Sequence, residues 1–252
     1  MSMQTLYTGA TGMESMQMKM DVIANNLANA ETAGFKRNVP AFRQRLTEAQ
    51  ERRAPSDWSD QTLEGLGGGT LSMPTGTSFE QGAVEETGSP LDAAIQGDGF
   101  FATRQGDQIR LTRDGRFSVS RDGFLVLGDG QKVLGANQQP VSVSPDSPIK
   151  ITADGTITQN GQTAARLGVF DVQDRSALKK LGGGLFALSD PADLKNATGS
   201  VQSEYIERSN VDPTTELTEL MDAQRQLEAN ANMIRTQDST LQRLVNDVGK
   251  IS

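Results

Sequence analysis

The sequence of 252 residues contains no cysteine and no histidine. Without cysteine the chain has no disulfide, no thiolate zinc site and no cysteine nucleophile. Without histidine it lacks the commonest general base near neutral pH and the commonest metal ligand. These absences disfavour an enzyme, and we expect no catalytic, cofactor-binding or metal-ligating residues.

Long apolar runs and clustered basic charges are missing as well. No stretch approaches the roughly 20 continuous apolar residues of a membrane-spanning helix, and Lys19 and Asp21 interrupt the region where a cleavable signal peptide would lie. The 24 basic residues are scattered among 32 acidic ones, which gives a net charge of -8. Because phosphate binding needs clustered lysine and arginine, we expect neither a nucleic-acid partner nor a membrane span.

An amphipathic pattern occupies the N-terminal region. Apolar or small residues recur at alternating intervals of four and three at Gly9, Met13, Met16, Met20, Ile23, Leu27 and Ala30. This spacing predicts a helix with a coiled-coil-like seam that ends near Gly34. Asn25, Asn26 and Asn29 edge the stripe, and their amides are able to form hydrogen bonds with neighbouring helices.

The C-terminal region has a matching pattern. A proline follows Asp212 and indicates a helix start. Apolar residues then recur every seven positions at Leu220, Leu227, Ile234, Leu241 and Val248. The heptad spacing predicts a second long amphipathic helix.

Between these helices the pattern changes to short β-prone runs. Asp-Gly pairs, which suit tight turns with a positive φ, separate the runs at positions 98–99, 114–115, 122–123, 129–130 and 154–155. Calcium-loop spacing is absent around these pairs. The glycine runs at 67–69 and 182–184 do not fit a phosphate-binding motif.

The predicted fold class is therefore a mainly β central domain of short antiparallel strands, with long amphipathic terminal α-helices that pair as a coiled-coil-like layer. We place the N-terminal helix and assembly motif in residues 1–43, an extended connector in 44–79, the all-β domain in 80–205 and the C-terminal helix in 206–252. Two interpretations of the helices remain open: packing within a monomer, or stacking of subunits around a shared inner tube in an open helical assembly.

Four motifs carry a resemblance to a known family. They are Ala24–Lys36 (ANNLANAETAGFK), Pro90–Phe101 (PLDAAIQGDGFF), Thr112–Phe117 (TRDGRF), and a C-terminal group that includes Glu207–Val211 (ERSNV) and Met221–Asn230 (MDAQRQLEAN). In this order they resemble the flagellar basal-body rod and hook proteins, and the length is similar to that of the rod proteins. The motifs fit both the proximal (FlgF) and the distal (FlgG) rod type.

The resemblance implies a structural subunit that is not an enzyme and needs no cofactor. Such a subunit would leave the cell through the flagellar type III export apparatus without a cleavable signal, and it would polymerise helically with itself and neighbouring rod proteins in the periplasm. The rod would then transmit torque from motor to hook. The residues that we expect to carry assembly are Met13, Met16, Met20, Ile23, Asn25, Asn26, Leu27, Asn29, Gly34, Phe35, Ser209, Asn210, Val211, Leu220, Leu227, Asn230, Ile234, Leu241 and Val248.

One alternative comes from a different functional class. The β domain would belong to a soluble binding module, for example one that binds carbohydrate, and the helices would only cap its core. In that case charged substitutions in the helical stripes would destabilise the monomer itself, by roughly several kcal/mol.

Overall fold

A computed structural model describes residues 3–44, 70–145, 147–188, 190 and 193–248. The chain divides into two compact units. Unit 1 comprises residues 1–27, 38–76 and 213–252, and unit 2 comprises residues 28–37 and 77–212. Residues 45–69, most of the predicted connector, lie outside the described residues.

Unit 1 contains two long helices and a two-stranded sheet. Helix α1 spans Met3–Ala28, helix α2 spans Pro213–Val248, and β1 (Asn38–Gln44) pairs with β2 (Thr70–Thr77). Helix α2 begins at the proline that the sequence indicates, where the missing N–H would have no helical partner in any case.

Helix α1 ends six residues earlier than the predicted limit at Gly34. The amide of Thr32 donates to the Asn29 carbonyl at 3.1 Å, and the Thr32 hydroxyl donates to the Asn29 side chain at 3.3 Å. Short polar side chains that bond locally in this way compete with helical hydrogen bonds. The asparagine and threonine therefore end the helix before the glycine is reached.

Unit 2 is built from short strands. Their bounds are β3 Val84–Glu86, β4 Ala93–Gln96, β5 Phe100–Gln105, β6 Gln108–Thr112, β7 Phe117–Val119, β8 Leu125–Leu127, β9 Lys132–Val133, β10 Ile149–Ile151, β11 Thr156–Gln159, β12 Gln162–Arg166, β13 Val169–Val172, β14 Lys179–Gly182, β15 Leu185–Ala187, β16 Leu194–Asn196, β17 Ser200–Ser203 and β18 Tyr205–Glu207. One 3₁₀ turn, Arg175–Ala177, lies between β13 and β14.

The largest sheet has nine strands. Its main order is β14-β15-β6-β5-β9-β8-β7, and β13 pairs with both β5 and β16. A three-stranded sheet has the order β10-β11-β12, while β17 pairs with β4 and β18 pairs with β3. The pairings of β3 to β18 are antiparallel. The predicted fold class of a mainly β protein with one helix near each end is confirmed.

The core of unit 2 consists of two apolar clusters. One contains Phe101, Phe117, Leu125 and Ile157, and the other contains Phe100, Leu111, Phe170 and Phe186. The rings of Phe101 and Phe117 meet edge to face, with their centroids 5.1 Å apart. Adjacent residues of β5 thus face opposite clusters, as the two-residue period of a strand requires.

Three Asp-Gly pairs lie in tight connections between antiparallel neighbours. Asp122-Gly123 joins β7 to β8, Asp129-Gly130 joins β8 to β9, and Asp154-Gly155 joins β10 to β11. The three glycines have φ values of 75°, 82° and 76°. The predicted turn role of these pairs is confirmed, because this backbone region strongly favours glycine.

Neither helix offers a stretch, among its described residues, that is long and apolar enough to cross a membrane.

Candidate functional site

The residues of the predicted α1 stripe differ in how deeply they are buried. Ile23 and Asn26 are buried, Met13, Met16, Met20 and Leu27 are partly buried, and Asn25 is exposed. The methionines therefore keep part of their surface accessible. Unbranched methionine side chains adapt to irregular surfaces, which suits a contact that must fit more than one neighbour.

The stripe of α2 shows the same division. Ala223, which lies between Leu220 and Leu227 in the sequence, is buried. Four residues of the predicted stripe are partly buried: Leu220, Leu227, Asn230 and Ile234. The side chains of Leu241 and Val248 lie outside the described residues. Glu216, which no sequence pattern predicts to be buried, is 1% exposed at the first turn of the helix.

Helices α1 and α2 run antiparallel within unit 1. The Asn26 amide contacts the Glu216 carboxylate at 3.3 Å, and a Cβ added at Gly12 would lie 3.5 Å from Asn230 Nδ2. A Cβ added at Gly9 would lie 3.2 Å from Ile234 Cγ1. Residues nearer the start of α1 therefore lie beside residues nearer the end of α2, as they do in an antiparallel pair. Whether these helices form a coiled-coil-like layer stays a prediction.

The three asparagines beside the α1 stripe form hydrogen bonds within the chain. Asn26 accepts from the Asn38 amide at 2.8 Å and donates to the Asn38 carbonyl at 2.9 Å. The Asn25 side chain accepts from Asn38 Nδ2 at 3.1 Å, and Asn29 accepts from Thr32. Their expected bonds to neighbouring subunits stay a prediction.

In unit 2, the segment that follows α1 lies alongside the segment that precedes α2. Gly34 N donates to the Glu207 carbonyl at 2.8 Å, and Asn210 N donates to the Phe35 carbonyl at 3.3 Å. Gly34 has a φ of 66°, and a Cβ there would lie 2.4 Å from the Arg113 carbonyl carbon. Glycine is therefore required at this crossing both for its backbone conformation and for its size.

The predicted residues Ser209, Asn210 and Val211 lie at this crossing. Ser209 and Val211 are buried, and the Ser209 hydroxyl accepts from Val211 N at 3.3 Å. Asn210 Oδ1 accepts from Arg37 N at 2.6 Å. Phe35 is also buried, and its carbonyl accepts from Asn210 N. All five predicted residues at this crossing therefore have hydrogen-bond partners within unit 2: Gly34, Phe35, Ser209, Asn210 and Val211.

A buried ion cluster that no sequence pattern predicts lies beside the same crossing. Glu207 Oε1 lies 2.6 Å from Lys36 Nζ, and Glu207 Oε2 lies 2.9 Å from Arg113 Nη1. Lys36 Nζ also donates to the Glu80 carbonyl at 2.6 Å. All three residues fall inside the quoted motifs, but no periodicity marks a lysine, an arginine and a glutamate as buried.

Two lysines at the crossing have shifted pKa values. Burial lowers the pKa of Lys36 below its ordinary 10.5, although the Glu207 carboxylate acts in the opposite direction. Burial also lowers the pKa of Lys180 to about 8. The Lys180 ammonium donates to the Lys36 carbonyl and lies 3.6 Å from the centroid of the Phe35 ring.

Exposed large apolar side chains concentrate in unit 1. Of eight such side chains among the described residues, seven belong to this unit, and Leu181 alone belongs to unit 2. The seven are Val39, Phe42, Leu71, Met73, Leu217, Met221 and Met233. Four of them lie on the β1–β2 pair and three on α2. Exposed apolar surface that is contiguous marks an interaction site more often than single exposed residues do.

Unit 2 has a cleft of about 600 Å³, lined in part by Asp154, Arg166, Asn196 and Val201. No aromatic side chain is among the residues that line it. Within the described part of the chain, no group of three or more acidic side chains is placed to hold a metal ion.

Comparison with known proteins gives three family matches in chain order. Residues 6–36 match the family described as flagella basal body rod protein, and residues 94–159 match the flagellar hook protein FlgE/F/G D1 domain. Residues 202–247 match the flagellar basal body rod FlgEFG protein C-terminal family.

Relatives are similar over nearly their whole lengths. FlgG of Bacillus subtilis is 34% identical over 97% of this chain and 98% of its own. FlgF of Caulobacter vibrioides is 31% identical over 98% of both chains, and FlgG of the same organism is 33% identical over 95% of this chain and 97% of its own. These values do not separate the FlgF type from the FlgG type. The chain belongs to the flagellar basal-body rod protein family, whose members are structural components of the flagellum.

Proposed function

We propose that this chain is a structural subunit of the flagellar rod that polymerises helically through its terminal helices. The polymer is a stiff shaft that transmits torque from motor to hook. The observation that carries the proposal is the concentration of exposed apolar side chains in unit 1, where both terminal helices lie. Burial of that surface between subunits supplies the driving force for assembly.

The proposed assembly surface combines the two helical stripes with the exposed side chains of α2. Leu217 and Met221 are four residues apart on α2, so they share one face of the helix. In this proposal the antiparallel helices form a coiled-coil-like layer with the helices of neighbouring copies, using the assembly residues that the sequence indicates. Residues 1–43 and 206–252 serve as the assembly segments, 80–205 as the β domain and 44–79 as the connector.

The family relationship supports the remaining parts of the proposal. The partners are other copies and neighbouring rod proteins. The chain reaches the periplasmic part of the basal body through the flagellar type III export apparatus without cleavage, as the resemblance of the motifs implies. It acts as neither an enzyme nor a nucleic-acid-binding protein, and it uses no cofactor or metal. The alternative of a carbohydrate-binding module has little support in the described residues, because the lining of the 600 Å³ cleft offers no aromatic ring for a sugar to pack on.

The test compares acidic substitutions of exposed apolar residues in the two units. Leu217→Asp and Met221→Asp should abolish swimming and rod formation when each variant replaces the native chain in a deletion strain. Because both side chains are about half exposed in the monomer, the free energy of unfolding should change by less than about 1 kcal/mol. Isolated basal bodies and thermal unfolding of the purified chains provide the two measurements.

Leu181→Asp is the matched control, since Leu181 is equally exposed but belongs to unit 2. Normal swimming is expected for this variant. Intact rods in both α2 variants, with unchanged swimming, would refute assembly through this face of α2. A loss of monomer stability by several kcal/mol would instead favour helices that only complete the monomer.

A further inference from the structure

The chain passes between the two units at four places: after residues 27, 37, 76 and 212. Residues next to three of these connections meet at the side chain of Asn210, which belongs to unit 2. Asn210 lies two residues before the last connection, and its side-chain amide contacts Arg37 and Ser78, which flank two others. Residues 33–37, 78–82 and 207–211 are called the junction below.

Asn210 forms hydrogen bonds with both atoms of its side-chain amide and with its backbone N–H. Its Oδ1 accepts from Arg37 N at 2.6 Å, and its Nδ2 donates to the Ser78 and Glu80 carbonyls at 3.1 and 3.0 Å. Its backbone N–H donates to the Phe35 carbonyl at 3.3 Å. Arg37 and Ser78 are also joined directly, because Ser78 N donates to the Arg37 carbonyl at 2.9 Å. An aspartate at this position would lose both donated bonds and face two carbonyl oxygens.

The carboxylate of Glu207 connects the same three segments through an ion pair and a hydrogen bond. Its Oε1 accepts from Lys36 Nζ at 2.6 Å and from Gly82 N at 3.1 Å. Its Oε2 accepts from Arg113 at 2.9 Å, so the carboxylate opposes two buried cations. Arg113 is also held by the Ile95 and Gly97 carbonyls at 3.4 and 2.7 Å, and therefore fixes Glu207 to the body of unit 2.

We infer that Asn210 and Glu207 are positioning residues that set the spacing of three chain connections before a subunit joins the rod. When the three connections of a free subunit already have the spacing that they have in the rod, the subunit loses less conformational entropy as it joins the rod. This inference rests on the proposed function for its biological meaning, but the spacing itself is a property of the monomer.

Distances between spin labels test the inference in the full chain, because the segment that bears Glu31 ends at the connection after residue 37. The chain has no cysteine, so Glu31→Cys and Asp122→Cys introduce the only two labelling sites. Both side chains are exposed in unit 2, one in the segment after α1 and the other in the turn between β7 and β8. Pulsed electron paramagnetic resonance should give one narrow distance distribution for the labelled parent.

Asn210→Asp should at least double the width of that distribution, and Asn210→Ala should broaden it less, because alanine removes bonds without adding repulsion. Asn196→Asp is the matched control, since it makes the same chemical change at an exposed position of β16. Thermal unfolding should show that unit 2 remains folded in each variant. The concentration needed for polymerisation, measured by sedimentation, should rise about tenfold for Asn210→Asp.

Broadened distances with weakened polymerisation support the inference. A narrow distribution in both Asn210 variants overturns the positioning role, and broadened distances with unchanged polymerisation overturn its link to assembly. Failure of the unlabelled native chain to polymerise would count against the proposed function, while the widths of the distance distributions would still decide the positioning role.

Discussion

The Glu207 carboxylate and the Lys36 ammonium lie 2.6 Å apart with side chains only 0% and 1% exposed. These two residues are 171 positions apart in the sequence. Lys36 lies two residues after the turn that ends at Gly34, and Glu207 is the last residue of β18, so the pair brings distant parts of the chain to one point. The pair also shares its carboxylate with buried Arg113, which makes charge balance at this point depend on a single glutamate.

Removing that glutamate should destabilise unit 2 strongly. Glu207→Leu leaves two buried cations without a counter-charge, and we expect a loss of about 3–5 kcal/mol or more in the free energy of unfolding. Lys36→Met should cost less, because Arg113 still neutralises Glu207. Urea denaturation of the purified variants measures both values.

Arg208→Ala serves as the control for this prediction. Its ion pair with Glu85 is exposed at both ends, so its loss should cost no more than about 1 kcal/mol. Equal losses for Glu207→Leu and Arg208→Ala would show that the buried cluster has no special importance.

Substitution of Gly34 should separate a backbone effect from a steric effect. Gly34 and Gly88 have φ values of 66° and 67°, but only Gly34 has backbone atoms within 2.4 Å of an added Cβ. Gly88→Ala should therefore cost about 1–2 kcal/mol, the penalty for alanine in the left-handed region. Gly34→Ala should cost clearly more, because the segment must also move away from Arg113 and Asp114.

Thermal or urea unfolding of the two alanine variants compares these costs. If Gly34→Ala is no more destabilising than Gly88→Ala, the close approach to Arg113 is not required for folding.

The free energy of unfolding should increase with pH in the alkaline range because of Lys180. Burial lowers its pKa to about 8 in the folded protein, compared with an ordinary value of 10.5. Between these values the unfolded chain binds more protons than the folded chain, so the free energy of unfolding increases with pH. The buried Lys36 acts in the same direction, because its pKa is also lowered.

Lys180→Met should reduce this increase by about 1–2 kcal/mol over the same range, after allowance for solvent screening. Urea midpoints of the parent and variant, measured from about pH 7.5 to about pH 10, give the comparison. Identical pH dependence in both chains would contradict the assignment of the titration to Lys180.

The buried contact between Asn26 and Glu216 should respond to charge. Asn26→Asp places two carboxylates at a separation of about 3.3 Å, which should destabilise unit 1 and lower helicity measured by circular dichroism. Adding Glu216→Gln exchanges the amide and the carboxylate between the helices and should recover part of the loss. Recovery is incomplete because aspartate cannot donate to the Asn38 carbonyl.

Glu219→Gln, on the next turn of α2, is the matched control for the second substitution. If Glu219→Gln rescues Asn26→Asp as well as Glu216→Gln does, the rescue reflects net charge and not the Asn26–Glu216 contact.

Much of the fold follows from local sequence patterns. Heptad spacing predicts both helices, and the proline after Asp212 marks the start of α2. Runs such as Ile109–Thr112 and Phe124–Leu127 predict β6 and β8, because alternating and β-branched or apolar residues between Asp-Gly turns favour strands. Helix α1 ends before the predicted limit at Gly34, because local hydrogen bonds of Asn29 and Thr32 outweigh the tendency of glycine to end a helix.

The candidate site was only partly predictable. The stripes of α1 and α2 carry a periodic signal, and the quoted motifs contain Gly34, Phe35 and Asn210. The cluster of Lys36, Arg113 and Glu207 carries no such signal, because charged residues in a sequence ordinarily indicate exposed positions. The cluster forms only because the fold pairs residues that are distant along the chain.

Periodicity and motifs are local properties of the chain, and they are sufficient to predict the two amphipathic helices, the β character of the middle and the family. The antiparallel direction of α1 and α2, the order of the strands and the partners of Asn210 became known from the three-dimensional structure. It also showed that Glu207 is buried with two cations. These features depend on which distant segments meet, and burial becomes favourable for such charges only when their partners arrive together.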